Sequence, residues 1–137
     1  MKPAEPATDS GLPAILFEPQ VRLVGAVTED FVRSFLEQLD AVPEKAAEIA
    51  FELTTPGGDA DLGRRLVHAV DSARERRRAR LLFLGVSQVH SAGVRLMSAF
   101  PPEDRFLSRD AILLIHGRRL EGKLELSGPL RGTLAHL

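Results

Sequence analysis

Residues 48–59 read Glu-Ile-Ala-Phe-Glu-Leu-Thr-Thr-Pro-Gly-Gly-Asp, a strand pattern followed by a turn pattern. Ile49, Phe51 and Leu53 alternate with other residues, which predicts a strand that enters a core. Residues 54–59 predict a sharp loop, because the two glycines accept backbone angles that other residues resist. The segment therefore predicts a buried strand that turns sharply at its carboxyl end.

Helix and strand patterns alternate on both sides of this segment. Before it, Thr28 is a good N-cap, and Glu29 and Asp30 stand in the first turn, where the helix dipole favours carboxylates. After it, leucines and valines at helical spacing predict a second amphipathic helix, and a third is predicted from about Ser91 to Phe100. The predicted strands are 14–17, 21–27, 48–53, 81–86, 105–107 and 111–115. This alternation predicts one α/β domain with βαβ crossovers.

Length and composition exclude several classes of protein. The chain has 137 residues, a size that fits one domain with a single core. Its net charge of −1 gives no global signal for nucleic acid or for a membrane surface. The absence of cysteine excludes disulfides, thiolate metal sites and a cysteine nucleophile. The basic run 74–80 is interpreted as a solvated helix end, with nucleic-acid contact as the alternative.

Residues 1–12 are predicted to form a flexible arm, and residues 13–137 the folded domain. The arm is rich in proline and poor in large apolar residues, so it does not support packing. It also lacks the apolar run of a signal peptide. No other run approaches the roughly 20 apolar residues that span a bilayer. We therefore expect a cytoplasmic protein without a membrane segment.

Three features lie at places where catalytic groups are able to converge. The loop 56–58 ends a strand, and such a loop can direct bare N–H groups at a developing oxyanion, although alone it is simply a turn. Ser91 stands at a predicted helix start, where the next N–H is free to donate, although alone it is an N-cap. His116 follows the apolar strand 111–115, which we expect to be buried. Alone, it is a hydrogen-bonded residue at a strand end.

The other three histidines are weaker candidates. His90 is next to Ser91, and adjacent residues project differently, so His90 is not expected to serve that serine. His68 is predicted at the surface or core edge of an amphipathic helix, and His136 lies in a terminal segment. No pair of histidines has the spacing of a helical metal site, so neither a metal nor another cofactor is predicted.

The order of these features resembles the proteolytic subunit of the Clp protease. Residues 53–60, Leu-Thr-Thr-Pro-Gly-Gly-Asp-Ala, resemble that family's Ser-Pro-Gly-Gly segment, and Gly63 matches a glycine in the helix that follows it there. Residues 85–93, Gly-Val-Ser-Gln-Val-His-Ser-Ala-Gly, resemble the Gly-x-x-x-Ser-Met-Gly nucleophile segment. Residues 105–117 resemble the family's Arg-x-x-Leu-Pro-x-Ser-x-x-Met-Ile-His segment, and 21–27 its opening Leu-x-Gly-x-Ile strand.

Ser91 and His116 are 25 positions apart, the separation between the family's serine and histidine. The resemblance covers roughly residues 14–118 and implies a ClpP/crotonase-like fold, a βαβ spiral core in a single domain. It implies a serine peptidase in which Ser91 attacks the acyl carbon and His116 takes its proton. The backbone N–H groups of Gly58 and Ala92 would form the oxyanion hole. The implied partners are a peptide or unfolded-protein substrate, further copies of the chain in a homo-oligomer, and an AAA+ unfoldase.

The sequence departs from the family pattern in three places. It is longer between Gly85 and Ser91, it lacks the proline before strand 111–115, and no aspartate follows His116 as a third triad member. An orienting carboxylate is worth about four orders of magnitude in rate, so we expect a C-terminally truncated relative with weak or no activity. One alternative is a catalytically silent ClpP-like oligomerisation domain. Another is a crotonase-fold enzyme of acyl thioesters, against which the serine at position 91 argues.

Overall fold

The computed structural model describes residues 11–115, which form a parallel sheet and helices. The strands are β1 (Val21–Val24), β2 (Glu48–Thr55), β3 (Arg80–His90), β4 (Arg105–Leu107) and β5 (Ile112–Leu114). The α-helices are α1 (Glu29–Asp40), α2 (Ala60–Arg77) and α3 (Ala92–Met97), and 3₁₀ helices span Ala14–Phe17 and Pro102–Asp104. Each of the first three strands is therefore followed by an α-helix.

All strand pairs in the described sheet are parallel. β1, β2, β3 and β4 lie side by side in that order. The long strand β3 has two partners on its far edge, because β4 pairs with residues 83–85 and β5 pairs with residues 88–90. Parallel neighbours require crossover connections, which the helices supply. The predicted single α/β domain with βαβ crossovers is therefore confirmed in the described residues.

The main core lies between the helices and one face of the sheet. Its centre is a group of four buried phenylalanines, whose neighbouring ring centroids are 5.4, 5.5 and 5.6 Å apart. The four are Phe35 on α1, Phe51 on β2, Phe83 on β3 and Phe100 after α3. Aromatic pairs at such distances add about 0.5–1.5 kcal/mol beyond the burial of their area. This group packs α1 and the segment after α3 against β2 and β3.

Specific side chains close the ends of α1. Thr28 Oγ1 accepts the N–H of Phe31 at 3.2 Å, so the N-cap prediction is confirmed. At the other end, the buried Arg77 of α2 donates to the carbonyl oxygens of Leu39 (3.0 Å) and Val42 (3.2 Å). The carbonyl of Leu39 also accepts the N–H of Val42 at 3.1 Å, so Arg77 adds a second donor there and ties the end of α1 and the loop after it to α2. No described helix is long and apolar enough to cross a membrane.

Residues 14–17 form a 3₁₀ helix, so the prediction of a strand there is wrong. The N–H of Leu16 donates to the carbonyl of Pro13 at 3.1 Å, and the fixed φ of a proline favours such a turn. Leu16 packs on Ala50 and Leu82, on the sheet face opposite to the main core. Leu16 and the half-buried Ile15 therefore pack on a face of the sheet, and the segment does not extend the sheet at an edge.

Other strands differ from their predicted bounds or burial. β1 ends at Val24 and not at residue 27, and β2 continues to Thr55, beyond residue 53. β3 continues to His90, beyond the predicted end at residue 86, because its second half gains β5 as a partner. β5 is a strand, as predicted, but the expectation that it is buried is wrong. Ile112 is 62% exposed, and Leu113, Leu114 and Ile115 are 36%, 41% and 37% exposed. The described part of the chain thus presents an apolar strand on its surface.

Candidate active site

Two strand-to-helix turns meet at the carboxyl edge of the sheet. The first runs from β2 into α2 and contains Gly57 and Gly58, and the second runs from β3 into α3 and contains Ser91. A Cβ atom placed on Gly57 would lie 2.9 Å from the Cβ of Ser91, so the turns are in direct contact. In sheets of parallel strands this edge is where ligands are commonly bound.

The glycine turn is shaped by its contact with Val27. The N–H of Val27 donates to the carbonyl of Gly57 at 2.9 Å, and the N–H of Asp59 donates to the carbonyl of Val27 at 3.2 Å. Gly57 and Gly58 have φ angles of 105° and 156°. A Cβ on Gly58 would lie 2.5 Å from the carbonyl oxygen of Val27, which no side chain tolerates. Both positions therefore require glycine.

The N–H of Gly58 has no acceptor among the described residues. In the parallel bridge between Val27 and Gly58, the groups that bond to Val27 belong to residues 57 and 59. The N–H of Gly58 therefore points away from Val27, to the side of β2 on which β3 lies. Ser91 follows the end of β3, so this free donor is directed to the side where the serine stands.

Ser91 occupies the N-cap position of α3 but does not cap the helix. Its side chain makes no hydrogen bond with the described residues. Its backbone angles are φ 51° and ψ −106°, a conformation that costs a residue other than glycine about 1–3 kcal/mol. A serine on a strained strand-to-helix turn presents its hydroxyl and is followed by a free N–H, as in the nucleophile turns of many hydrolases. The N-cap interpretation of this serine thus explains its position but not its conformation.

The backbone around Ser91 is held from two other sides. Its N–H donates to the carbonyl of Leu114 in β5 at 2.8 Å, and its own carbonyl accepts the N–H of Val94 at 2.9 Å. Ala92 and Gly93 are buried directly behind it. The N–H of Ala92 is the first of α3 and, like every such group, has no acceptor within its helix. Ser91 is therefore fixed in its turn by backbone contacts, while its hydroxyl engages none of the described groups.

A bulge in β3 takes up the extra length before Ser91. Leu53 pairs with Gly85 and Thr55 pairs with Val89, so β3 has two more residues than β2 between these pairs. Ser87, in this bulge, has a φ of 61°, and its N–H donates to Ser108 Oγ at 3.0 Å. A bulge inserts residues without unpairing the rest of a strand, so the departure from the family spacing leaves the serine beside the glycine turn.

Of the four histidines, the structure describes His68 and His90. His116, the predicted base, and His136 lie outside the described residues. His90 is half-buried at the end of β3, opposite Leu114, and His68 is exposed on α2. Among residues 11–115 no group of histidine, aspartate or glutamate side chains is arranged to hold a metal ion.

Comparison with known proteins identifies the fold. No family model matches the chain, and no curated protein matches it. Among solved structures, ClpP1 from Listeria monocytogenes is similar with a TM-score of 0.63 and 18% identity, over 85% of this chain and 64% of that one. The N165D mutant of the same protein gives a TM-score of 0.63 and 17% identity, over 85% of this chain and 61% of that one. The chain spans less than two thirds of the length of both, and the predicted ClpP-like fold is confirmed.

Proposed function

We propose that the chain is a serine peptidase of the Clp proteolytic-subunit type. Ser91 is the nucleophile, His116 is the general base, and the N–H groups of Gly58 and Ala92 form the oxyanion hole. The serine oxygen bonds to the carbonyl carbon of a peptide while its proton passes to the imidazole. The C–N bond then breaks, and the leaving amine takes that proton. A peptide or unfolded protein as substrate, an AAA+ unfoldase as partner and a cytoplasmic location belong to the same proposal.

The conformation of Ser91 is the observation that carries the proposal. An ordinary N-cap residue has extended backbone angles, and its side chain accepts an N–H of the first turn. Ser91 has φ 51° and ψ −106° and makes no such bond. Strain of this kind persists where the surroundings impose it, and it concentrates at functional sites. The free N–H of Gly58, directed to the same side, supplies a donor of the type that an oxyanion needs.

The path of the chain before residue 116 supports His116 as the base. Leu114 accepts the N–H of Ser91 at 2.8 Å, so β5 passes directly beside the serine. His116 is two residues further along, and two residues span about 7 Å at full extension. His90 is the rival histidine, because it precedes Ser91 directly. Experiment can distinguish which of the two histidines is the base.

Labelling with a fluorophosphonate tests the nucleophile. We expect slow labelling of the protein at Ser91, because none of residues 117–137 is an aspartate that would orient the histidine. Ser91→Ala should abolish the labelling. Ser87→Ala is the matched control, since Ser87 is the other serine with a positive φ among residues 11–115 and lies four residues away. Labelling that survives in Ser91→Ala, or that disappears in Ser87→Ala, would overturn the assignment.

The same probe distinguishes the two histidines. His116→Gln should reduce the labelling rate by about 10²-fold or more, the usual contribution of a general base. His90→Gln should leave the rate within about threefold of the wild type. The opposite result would move the base to His90 and contradict the role of His116.

The exposed strand β5 favours self-association as a second property of the chain. Ile112, Leu113, Leu114 and Ile115 are all exposed, and among the described residues β5 pairs with β3 alone. An unpaired strand edge with apolar side chains is a template for another chain. We therefore propose a homo-oligomer to which the edge of β5 contributes, together with residues 118–137 or the helix faces, and which does not form a stable two-ring barrel.

Light scattering at micromolar concentration measures the assembly directly. We expect a mass of several subunits, and Ile112→Lys should shift the population toward the monomer, because the charge is placed on the exposed strand. Arg109→Lys, on the exposed turn before that strand, is a control that should change nothing. A strict monomer for the wild type would contradict the proposal of a homo-oligomer, and a particle of fourteen subunits would contradict the absence of a two-ring barrel.

A further inference from the structure

Thr55, the last residue of β2, links the two turns of the site. It is fully buried, and it is a polar residue in an otherwise apolar part of the core. Its hydroxyl accepts the N–H of Gly57 at 3.0 Å and lies 3.4 Å from the carbonyl oxygen of the same residue. Its methyl group lies 2.6 Å from the place that a Cβ on Gly93 would occupy, so it packs against the start of α3.

The hydrogen bonds of Gly57 determine the orientation of the next peptide group. Its N–H, part of the preceding peptide, donates to the hydroxyl of Thr55, and its carbonyl, part of the Gly57–Gly58 peptide, accepts from that hydroxyl at 3.4 Å and from the N–H of Val27 at 2.9 Å. No peptide bond in the described chain is cis, so the N–H of Gly58 points opposite to the carbonyl of Gly57. The carbonyl faces Val27, and the N–H of Gly58 therefore faces the side of Ser91.

A Gly-Gly peptide resists rotation less than any other, because both residues accept angles of either sign. If this peptide rotated by half a turn, the carbonyl of Gly57 would replace the N–H of Gly58 on the side of Ser91. A carbonyl oxygen at that place repels a developing oxyanion, whereas an N–H stabilises it. The oxyanion site thus depends on the orientation of the Gly57–Gly58 peptide, which the two glycines themselves do not fix.

We propose that Thr55 is a positioning residue: its hydroxyl holds the Gly57–Gly58 peptide in the orientation that offers the N–H of Gly58 to the oxyanion. This role rests on the proposed peptidase function, in which Gly58 is a donor of the oxyanion hole. Thr55 touches neither Ser91 nor the substrate in this scheme, and it acts through Gly57. The hold itself, however, is a property of the folded chain that is measurable without any activity.

Two pairs of variants isolate the hydroxyl. The first pair is the wild type and Thr55→Val, which have the same shape and differ only in the hydroxyl. The second pair is Thr55→Ser and Thr55→Ala, which also differ only in the hydroxyl, and both lack the methyl group that packs on Gly93. A residue that merely fills the core would respond to the loss of the methyl. A positioning residue responds within each pair, and the serine variant behaves like the wild type. If the valine variant fails to fold, the serine and alanine variants carry the comparison.

Amide hydrogen exchange, observed on uniformly ¹⁵N-labelled protein, tests the hold. The N–H of Val27 is bonded to the carbonyl of Gly57, so it should exchange at least about tenfold faster in Thr55→Val than in the wild type, while that of the buried Gly93 stays within about twofold. The N–H of Gly57, which loses its acceptor, should exchange faster as well. Thr55→Ser should preserve the slow exchange of both. Unchanged exchange of Val27 in the valine variant would show that the hydroxyl does not hold the Gly57–Gly58 peptide, and the proposal would fall whatever the enzymology gives.

The maximal rate of fluorophosphonate labelling tests the consequence. Thr55→Val should lower this rate by about 10²-fold, the loss expected when one oxyanion donor is removed, with the half-saturating probe concentration unchanged. Thr55→Ser should stay within about threefold. Equal losses in both variants, or a wild-type rate in Thr55→Val, would overturn the positioning role. If the wild type shows no labelling that depends on Ser91, the peptidase proposal fails instead, and the exchange of the Val27 N–H still reports on the hold.

Discussion

The turn from β2 into α2 and the turn from β3 into α3 make the same connection by different means. In the first, glycines occupy both positions that need unusual backbone angles, and Asp59 accepts the N–H groups of Asp61 (2.8 Å) and Leu62 (3.0 Å) as a helix cap. In the second, the serine itself takes the unusual angles, and no side chain of the described residues caps α3.

The difference between the two turns separates residues that are needed for folding from residues that are present for another reason. A sequence selected for stability alone places glycine where φ is positive and a capping residue where a helix begins, as in the first turn. The second turn breaks both rules at one residue, Ser91. Natural sequences break local rules mainly where function requires it, so the contrast points to Ser91 more strongly than its residue type does.

The largest effect is expected from filling the first turn. Gly58→Ala should lower the free energy of unfolding by about 3 kcal/mol or more, because the new Cβ meets the backbone of Val27 at 2.5 Å at a residue with positive φ. Gly25→Ala is the control, since Gly25 has a φ of 126° but no atom within 4 Å of an added Cβ. That variant should lose about 1–2 kcal/mol in urea unfolding. Equal losses in the two would show that the contact with Val27 is unimportant.

A smaller effect is expected from removing the cap of the first turn. Asp59→Ala should cost about 1–2 kcal/mol, since two N–H groups of α2 lose their acceptor. Asp59→Ser can accept one of these bonds and should recover most of the loss. Urea unfolding of the three proteins measures this difference. A serine variant no more stable than the alanine variant would mean that the charge of Asp59, and not its hydrogen bonds, closes the helix.

Relief of the strain in the second turn should stabilise the protein. Ser91→Gly is expected to raise the free energy of unfolding by about 0.5–1 kcal/mol. Glycine adopts these backbone angles without strain, and the strain removed from the folded state exceeds the conformational entropy that glycine adds to the unfolded chain. The same change should abolish fluorophosphonate labelling. A destabilised glycine variant would contradict the interpretation of Ser91 as strained.

The smallest effect is expected from Ser91→Ala, which keeps the strain and removes the hydroxyl. Because the hydroxyl makes no hydrogen bond with the described residues, the free energy of unfolding should change by less than about 0.5 kcal/mol. The contrast with Asp59→Ala, in the cap of the neighbouring helix, is the informative quantity. A loss of 1 kcal/mol or more, measured in the same urea series, would indicate that Ser91 is a structural cap after all.

The sequence predicted those parts of the fold that depend on local pattern. The alternation of Ile49, Phe51 and Leu53 identifies β2, and Thr28 identifies the start of α1, because each signal is complete within a few residues. The end of β3 was missed because its bulge breaks the alternation that marks a strand. The exposure of β5 was missed because four apolar residues have the same sequence whether or not another element covers them.

The candidate site was likewise predicted only where a local sequence motif identifies its residues. The glycines and Ser91 are recognisable from motif order, and their assignment as an active site, with His116, stays a prediction. The backbone angles of Ser91 cannot be deduced from a residue type that rarely adopts them. Thr55 was overlooked, although it continues the two-residue spacing of Phe51 and Leu53 and so had to face the core. A polar residue at such a position signals that its hydroxyl has a buried partner.

The hydrogen bond from Ser91 to Leu114 has a consequence for the order of events during synthesis. The strands β1 to β4 and the helices between them are complete by residue 107, so this part of the sheet emerges from the ribosome before β5 does. The backbone of Ser91 acquires its partner in β5 only after residue 114 has left the exit tunnel. A nascent chain would therefore pass through a stage in which β1 to β4 have emerged while the N–H of Ser91 still lacks its partner, and the turn at Ser91 gains this backbone contact only when β5 docks.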